Sequence, residues 1–156
     1  MVRCARLSCH NVTGFNAGHS SFTYLTARPD VIVHSFDIRR LPMVLFLQRK
    51  FPGRLKFILG DSRKKVPRYF ATSRQSNQPI TCDLMVVDSS HDGDVPLNDL
   101  RNFARAASQP HNVIFADDMH LYAVRSAWIK LVRAGIIQEL FTCNFFALGM
   151  AVRRYK

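Results

Sequence analysis

The sequence predicts one α/β domain: a Rossmann-like, doubly wound, mostly parallel sheet that ends in an antiparallel strand pair. Three observations predict it. Apolar strand-like runs alternate with helical stripes along most of the chain. Several of those runs stop abruptly on small or acidic residues. The last two segments read as strands with no helix between them.

The elements follow in order. Val31 to Phe36 is apolar or β-prone and closes on Asp37. Pro42 suits the first turn of a helix whose body is Met43 to Phe51, and Pro52-Gly53 is a turn. Leu55, Phe57 and Leu59 alternate as in a strand ending at Gly60-Asp61-Ser62. A more polar helix is expected from about Arg63 to Thr72, then a loop from Ser73 to Thr81. Leu84 to Val87 is continuously apolar, as expected of a strand covered on both faces, and it stops at Asp88. Leu97, Leu100, Phe103, Ala104 and Ala107 mark the next helical stripe. Val113 to Ala116 is another buried strand and ends on Asp117-Asp118. Val124, Trp128, Leu131 and Val132 mark the last helix, with Gly135 where its cap should fall. Residues 136–146 and 147–155 form the expected strand pair. The pattern is βαβαβαβα and then two strands, within a single domain over 1–156 whose first 13 residues are atypical.

Composition bounds the function. The chain has 156 residues, 47% of them hydrophobic and 21% charged, which is ordinary for a domain with its own core. The longest apolar run, Met43 to Leu47, is far below the roughly 20 residues a membrane span needs, and no secretory h-region precedes the fold. A net charge of +11 draws anions, whether nucleic acid or a small ligand. The basic residues are scattered as short groups (Arg39-Arg40, Arg49-Lys50, Arg63-Lys64-Lys65, Arg153-Arg154), which is the pattern of a solvated surface. Cys82 and Cys143 fall in strand-like contexts where a free thiol serves as a small hydrophobe, so a reducing, cytoplasmic compartment is the simpler expectation. Cys4, Cys9, His10 and His19 match no common zinc spacing.

Doubly wound sheets bind ligands outside the carboxyl ends of their strands. That rule selects Gly14 to Ser21, Asp37, Gly60-Asp61-Ser62, Asp88 to His91, and Asp117-Asp118. Gly14 and Gly18, four apart, allow a tight turn and close approach of backbone to ligand. A helix N-terminus after them offers N–H groups to an anion. Asp37 ends the following strand about 20 residues on, where a carboxylate can accept both hydroxyls of a ribose. Asp88, Asp117 and Asp118 repel one another at adjacent strand ends unless a cation neutralises them. Mg²⁺ suits such oxygen donors, as do Ca²⁺ and Mn²⁺. His91, three residues after Asp88, offers an imidazole and so a reasonable base for a hydroxyl; His120 is a second.

Gly14-Phe15-Asn16-Ala17-Gly18-His19-Ser20, Phe36-Asp37, Gly60-Asp61-Ser62, Val87 to His91 and Ala116-Asp117-Asp118 together resemble the class I S-adenosylmethionine-dependent methyltransferases. The similarity is to the catechol O-methyltransferase-like and sugar O-methyltransferase group, and it runs from Gly14 to about Tyr155. The resemblance implies that Gly14, Asn16, Gly18 and Ser20 line the methionine end of the cofactor and that Asp37 holds its ribose. It implies that Ser62 and Asp61 flank the adenine, that Asp88 lies close to cofactor and metal, and that Asp117 and Asp118 complete the metal set. His91 stands where the catechol-type enzymes carry a lysine base.

Two departures are visible. The family has an apolar strand before the glycine loop, with an acid two residues ahead of the first Gly; here the stretch is Ser8-Cys9-His10-Asn11-Val12-Thr13, and Val12 takes the acid's place. Family members also carry covering helices upstream, and only 13 residues precede Gly14. The N-terminal strand is therefore expected to be degenerate or truncated, with instability, a homodimer through an exposed edge, or loss of activity as alternative consequences. The functional expectation is methyl transfer to a hydroxyl of a small molecule or sugar. Its rivals are an inactive binding module of the same fold and an RNA methyltransferase, the latter from the charge alone.

Overall fold

The polar stretch before the glycine loop forms the centre of the sheet. In the computed structural model, which describes residues 9–76, 79–108, 112–143 and 150–155, Cys9–Thr13 is strand β1. It pairs in parallel with β2 (Ile32–Asp37) on one side and β4 (Leu84–Val87) on the other. Its degeneracy thus lies in its side chains and not in its ladder. Backbone groups paired on both flanks lose nothing when the side chains are polar.

The remaining elements are α1 (His19–Ala27), α2 (Pro42–Lys50), β3 (Leu55–Leu59), α3 (Ser62–Arg74), α4 (Val95–Ala104), β5 (Val113–Ala116), α5 (Tyr122–Arg133), β6 (Ile137–Cys143) and β7 (Met150–Tyr155). The sheet order is β3-β2-β1-β4-β5-β7-β6. β1 to β5 run parallel, and β7 enters antiparallel between β5 and β6. The chain winds outward from β1 to one edge, then returns and winds to the other. Its order therefore reverses between β1 and β4, and a crevice opens there above the strand ends.

Alternating side chains divide the core into two layers. Val12, Val33, Leu84 and Val86 face Leu25 of α1 and Val44 and Leu47 of α2. Phe36, Met85, Val87 and Ile114 face Val66 and Phe70 of α3, Leu100 and Phe103 of α4, and Trp128 and Leu131 of α5. Trp128, 1% exposed, donates its indole N–H to Glu139 Oε2 at 2.5 Å, tying α5 to β6. The Arg54 guanidinium donates to the carbonyls of Leu25, Arg28 and Val31, which closes the α1–β2 connection.

The polar residues of β1 are buried with the rest. Asn11 and Thr13 are fully covered, and His10 packs edge-on against Tyr24 with ring centroids 5.0 Å apart. Burial holds His10 neutral by lowering its pKa to about 4 and does the same to its sheet neighbour His34. One expectation is corrected here: Cys82 is buried but not a free thiol, because its sulfur is joined to that of Cys9. Cys82 lies just ahead of β4 and Cys9 opens β1, so two positions 73 apart in sequence meet at the strand starts. Cys9 and His10 point to opposite faces of the sheet, which separates two members of the Cys4, Cys9, His10, His19 set; Cys4 and the Cys143 side chain lie outside the described residues. No described helix is long and apolar enough to cross a membrane.

Candidate functional site

Gly14 leaves β1 with φ +83 and donates its N–H to the Phe36 carbonyl at 3.0 Å. A Cβ at this position would stand 1.7 Å from the carbonyl oxygen of Asp88. The glycine is thus required twice, for its left-handed backbone and for the contact between the ends of β1 and β4. Two residues on, Asn16 is also left-handed, with φ 43, a conformation asparagine tolerates. Its N–H donates to Asp37 Oδ2 at 2.9 Å, and the Arg39 N–H donates to Asp37 Oδ1 at 2.9 Å. Asp37 is thereby fixed at the end of β2 with lone pairs still available, since each carboxylate oxygen offers two.

Asp61 caps α3, its carboxylate accepting from the Arg63 N–H at 3.0 Å. The Arg63 guanidinium pairs with Asp61 at 2.9 Å and reaches Asp94 at 3.1 Å. The hydrogen bond from Arg63 is the main reason the Asp61 carboxyl sits below the usual range. Ser62, the next residue, is buried at the first turn of α3.

Gly14, Asn16, Asp37, Asp61, Ser62, Asp88 and His91 all line one cleft of about 520 Å³ at the strand reversal. Gly18 and Ser20 are off its walls: Gly18 caps α1, with φ +82, and Ser20 lies in that helix's first turn. Asp117 and Asp118 also stand outside the lining, and Asp118 meets the cleft through His91.

At the far end of the cleft the acids separate into two roles. Asp88, His91 and Asp118 each offer a ligand atom, all within 4.8 Å of one another. His91 Nε2 lies 2.8 Å from Asp118 Oδ2, and His120 Nδ1 approaches Asp118 Oδ1 at 3.8 Å. Asp117 does not join the group; its Oδ1 accepts the Asp118 N–H at 2.8 Å and helps hold Asp118 at its left-handed φ of 55. The Asp88 carboxyl is pushed up to about 6, first by burial and then by Asp117 and Asp118, with His91 acting the opposite way. An acid in that state is short of positive charge, which is what a cationic ligand supplies.

Asp99 is a participant that sequence reasoning did not single out. It lies on α4 and is completely buried, and it accepts the Ser89 hydroxyl at 2.6 Å. Burial raises its pKa, while the hydroxyls of Ser89, Ser62 and Thr13 pull it back. One carboxylate therefore faces the ends of β1 and β4 and the start of α3, the three segments that meet at the cleft floor. The signal was present: an acid between Leu97 and Leu100 interrupts an apolar helical stripe.

No family model matches this sequence, and no curated protein matches it. Solved structures do match its fold. A protein of Staphylococcus aureus assigned as a caffeoyl-CoA O-methyltransferase superposes with a TM-score of 0.74 at 11% identity, over 96% of this chain and 77% of that one. The neocarzinostatin-biosynthesis O-methyltransferase NcsB1, solved with S-adenosylmethionine and 2-hydroxy-5-methyl naphthoic acid, gives 0.66 at 14%, over 96% of this chain and 49% of its own. The Methanococcus jannaschii fibrillarin pre-rRNA processing protein gives 0.68 at 15%, over 96% and 67%. This chain therefore shares the fold of these proteins, with the mostly parallel sheet and the terminal antiparallel pair that the sequence predicts.

Proposed function

We propose that this chain is an S-adenosylmethionine-dependent O-methyltransferase whose acceptor is a hydroxyl on a small molecule or sugar. The observation that carries the reading is the convergence of Gly14, Asn16, Asp37, Ser62, Asp88 and His91, from separated segments, onto one cleft at the strand reversal. Asp37, at the end of β2, would accept the ribose hydroxyls. The backbone of Gly14 to Asn16 borders the methionine end, with Ser62 and Asp61 toward the adenine. Two neighbours of the fold are O-methyltransferases, and one of them holds this cofactor.

The donor set at the cleft's end fits a divalent cation. Asp88 and Asp118 supply hard oxygens beside His91, and the Asp88 carboxyl, raised first by burial and then by Asp117 and Asp118, would be relieved by a counter-charge. A bound Mg²⁺ or Mn²⁺ would neutralise that charge and acidify a nearby hydroxyl. The chain's own base is His91, turned by Asp118. The ring would take the acceptor's hydroxyl proton, and the bound cofactor would supply the methyl group from its sulfonium. Holding oxygen and sulfonium in line supplies much of the acceleration.

A second reading has an observation of its own. Val12, 1% exposed in the α1–α2 core, stands where the resemblance implies an acid, and without that carboxylate the chain would be a binding module without turnover. An RNA acceptor has the +11 charge in its favour and the dispersal of that charge against it.

Isothermal titration with S-adenosylhomocysteine, with and without Mg²⁺, tests the proposal. Micromolar binding is the expected result, and Asp37→Ala should weaken it about tenfold or more through loss of charge-assisted hydrogen bonds. A folded chain that does not bind would overturn the enzymatic reading. Binding that Asp37→Ala leaves unchanged would remove the ribose assignment. His91→Ala should lower turnover more than cofactor affinity, and the reverse pattern would make His91 structural.

A further inference from the structure

At the opposite end of the sheet from the cleft, three neighbouring strands place a second set of metal-ligating side chains on one face. Cys9 opens β1, Cys82 lies two residues ahead of β4, and His34 sits within β2. One ligand atom from each lies within 4.8 Å of the others. Cys82 and His34 are buried and Cys9 half-buried, which leaves a route to solvent on the Cys9 side.

Two further observations point to an occupant. The Tyr69 hydroxyl lies 2.8 Å from His34 Nδ1, which fixes the ring; in the tautomer whose Nδ1–H donates to that hydroxyl, Nε2 carries the lone pair that can bind. Metal-bound histidines usually have their second nitrogen held in this way. Asn11, beside His34 in the sheet register, is completely buried, and its Oδ1 lies 3.2 Å from Cys82 Sγ. A disulfide sulfur has no proton to give that oxygen, and Asn11 Nδ2 has no hydrogen-bond partner among the described residues. Burying an amide without partners costs free energy. Rotated by half a turn, the amide would donate an N–H to a Cys82 thiolate; unrotated, its oxygen could join the ligands. The disulfide therefore leaves a polar group unmatched that a thiolate or metal-bound thiolate would satisfy.

We propose that the reduced chain binds one zinc-class ion through Cys9 Sγ, Cys82 Sγ and His34 Nε2. Two thiolates and an imidazole form a soft-to-borderline donor set, suited to Zn²⁺ and unsuited to Mg²⁺ or Ca²⁺. The site is separate in place and chemistry from Asp88, His91 and Asp118. Disulfide and metal exclude each other. The S–S bond is first reduced by a dithiol, which supplies two electrons and two protons and becomes a disulfide itself. Each Cys S–H then loses its proton to solvent as an S–Zn bond forms. The ion would clamp the starts of β1 and β4 to β2 and so tie the polar central strand to both neighbours.

The test uses the full chain with Cys4→Ser and Cys143→Ser, so that only the two proposed thiols remain. It is reduced with dithiothreitol, desalted without oxygen and titrated with Zn²⁺ against a chromogenic chelator. The expected result is one ion per chain at submicromolar affinity, with both thiols protected from alkylation. Co²⁺ in its place should give a thiolate-to-metal charge-transfer absorption. Tyr69→Phe should weaken binding about 10- to 100-fold, the usual effect of losing an outer-shell partner. Asp88→Asn with Asp118→Asn should leave the affinity unchanged. A folded, reduced chain that binds no Zn²⁺, or Co²⁺ without the charge-transfer band, overturns the proposal. So does affinity that survives Cys82→Ser. Should Cys82→Ser not fold, the Co²⁺ spectrum of the chain that retains both thiols decides.

Discussion

At the scale of single residues, the glycines separate backbone need from contact need. Gly14 and Gly53 are both left-handed, with φ +83 and +74. A Cβ at Gly53 meets nothing within 4 Å, whereas at Gly14 it strikes the Asp88 carbonyl. Gly53→Ala should therefore cost only the left-handed penalty, about 1–2 kcal/mol. Gly14→Ala must in addition push β1 from β4 at the cleft, so it should lower Tm further and abolish cofactor binding. Thermal melts and titration of the two variants check this; equal Tm losses would refute the contact argument. Gly14 was legible in the sequence because spacing and the strand-end rule both selected it. Asp99 was not, because its partner Ser89 stands ten positions away and the Ser62 and Thr13 hydroxyls that act on it come from separate segments that only folding assembles. Asp99→Ala should weaken cofactor binding more than Asp99→Asn, which can still accept from Ser89. If both variants bind as tightly as the parent chain, Asp99 has no influence on the cleft.

At the scale of elements, β1 shows where a sequence pattern misleads. Cys-His-Asn-Val-Thr has one aliphatic residue in five, and nothing in it announces a central strand. The other parallel strands were legible because burial on two faces selects apolar side chains. β1 is held by its two ladders, and some of the polar side chains around it find partners: His10 packs edge-on against Tyr24, His34 of β2 bonds Tyr69, and Asn11 Oδ1 faces Cys82. The histidine contacts depend on neutral imidazoles. The pKa values of His10 and His34 are both lowered to about 4 by burial, so the unfolded chain takes up protons in a range where the folded chain does not. The folded state is undisturbed above the unfolded value of about 6.5 and loses stability as pH falls from there toward 4. Urea midpoints measured from pH 7.5 to 4.5 should decline across that window. His34→Gln should flatten the decline, and an unchanged slope would mean that other groups set the acid sensitivity.

At the scale of the whole molecule, the winding of the sheet does what no local segment can. Reversal of strand order between β1 and β4 brings Asp37, Asp88 and Asp118 to one rim although 81 positions separate the first from the last. The acids at that rim were legible as strand terminators; their division of labour was not. The sequence grouped Asp117 with Asp88 and Asp118, while the fold turns Asp117 back onto the Asp118 amide and brings His91 in. Burial of Asp88 beside Asp117 and Asp118 has a measurable consequence. With its pKa pushed up to about 6, Asp88 is largely protonated at pH 5 and ionised at pH 7.5. A cation favours the ionised form, so cation affinity should rise as pH climbs through 6 and level off above it, changing by up to about tenfold per pH unit below that point. S-adenosylmethionine carries a sulfonium charge that S-adenosylhomocysteine lacks. The ratio of their affinities should therefore increase from pH 5 to 7.5, isolating the electrostatic contribution from shared contacts. In an Asp88→Asn chain the ratio should no longer respond to pH near 6. A ratio that is flat in the parent chain would mean that Asp88 does not face the sulfonium, and the methyl donor would then have to lie elsewhere along the cleft.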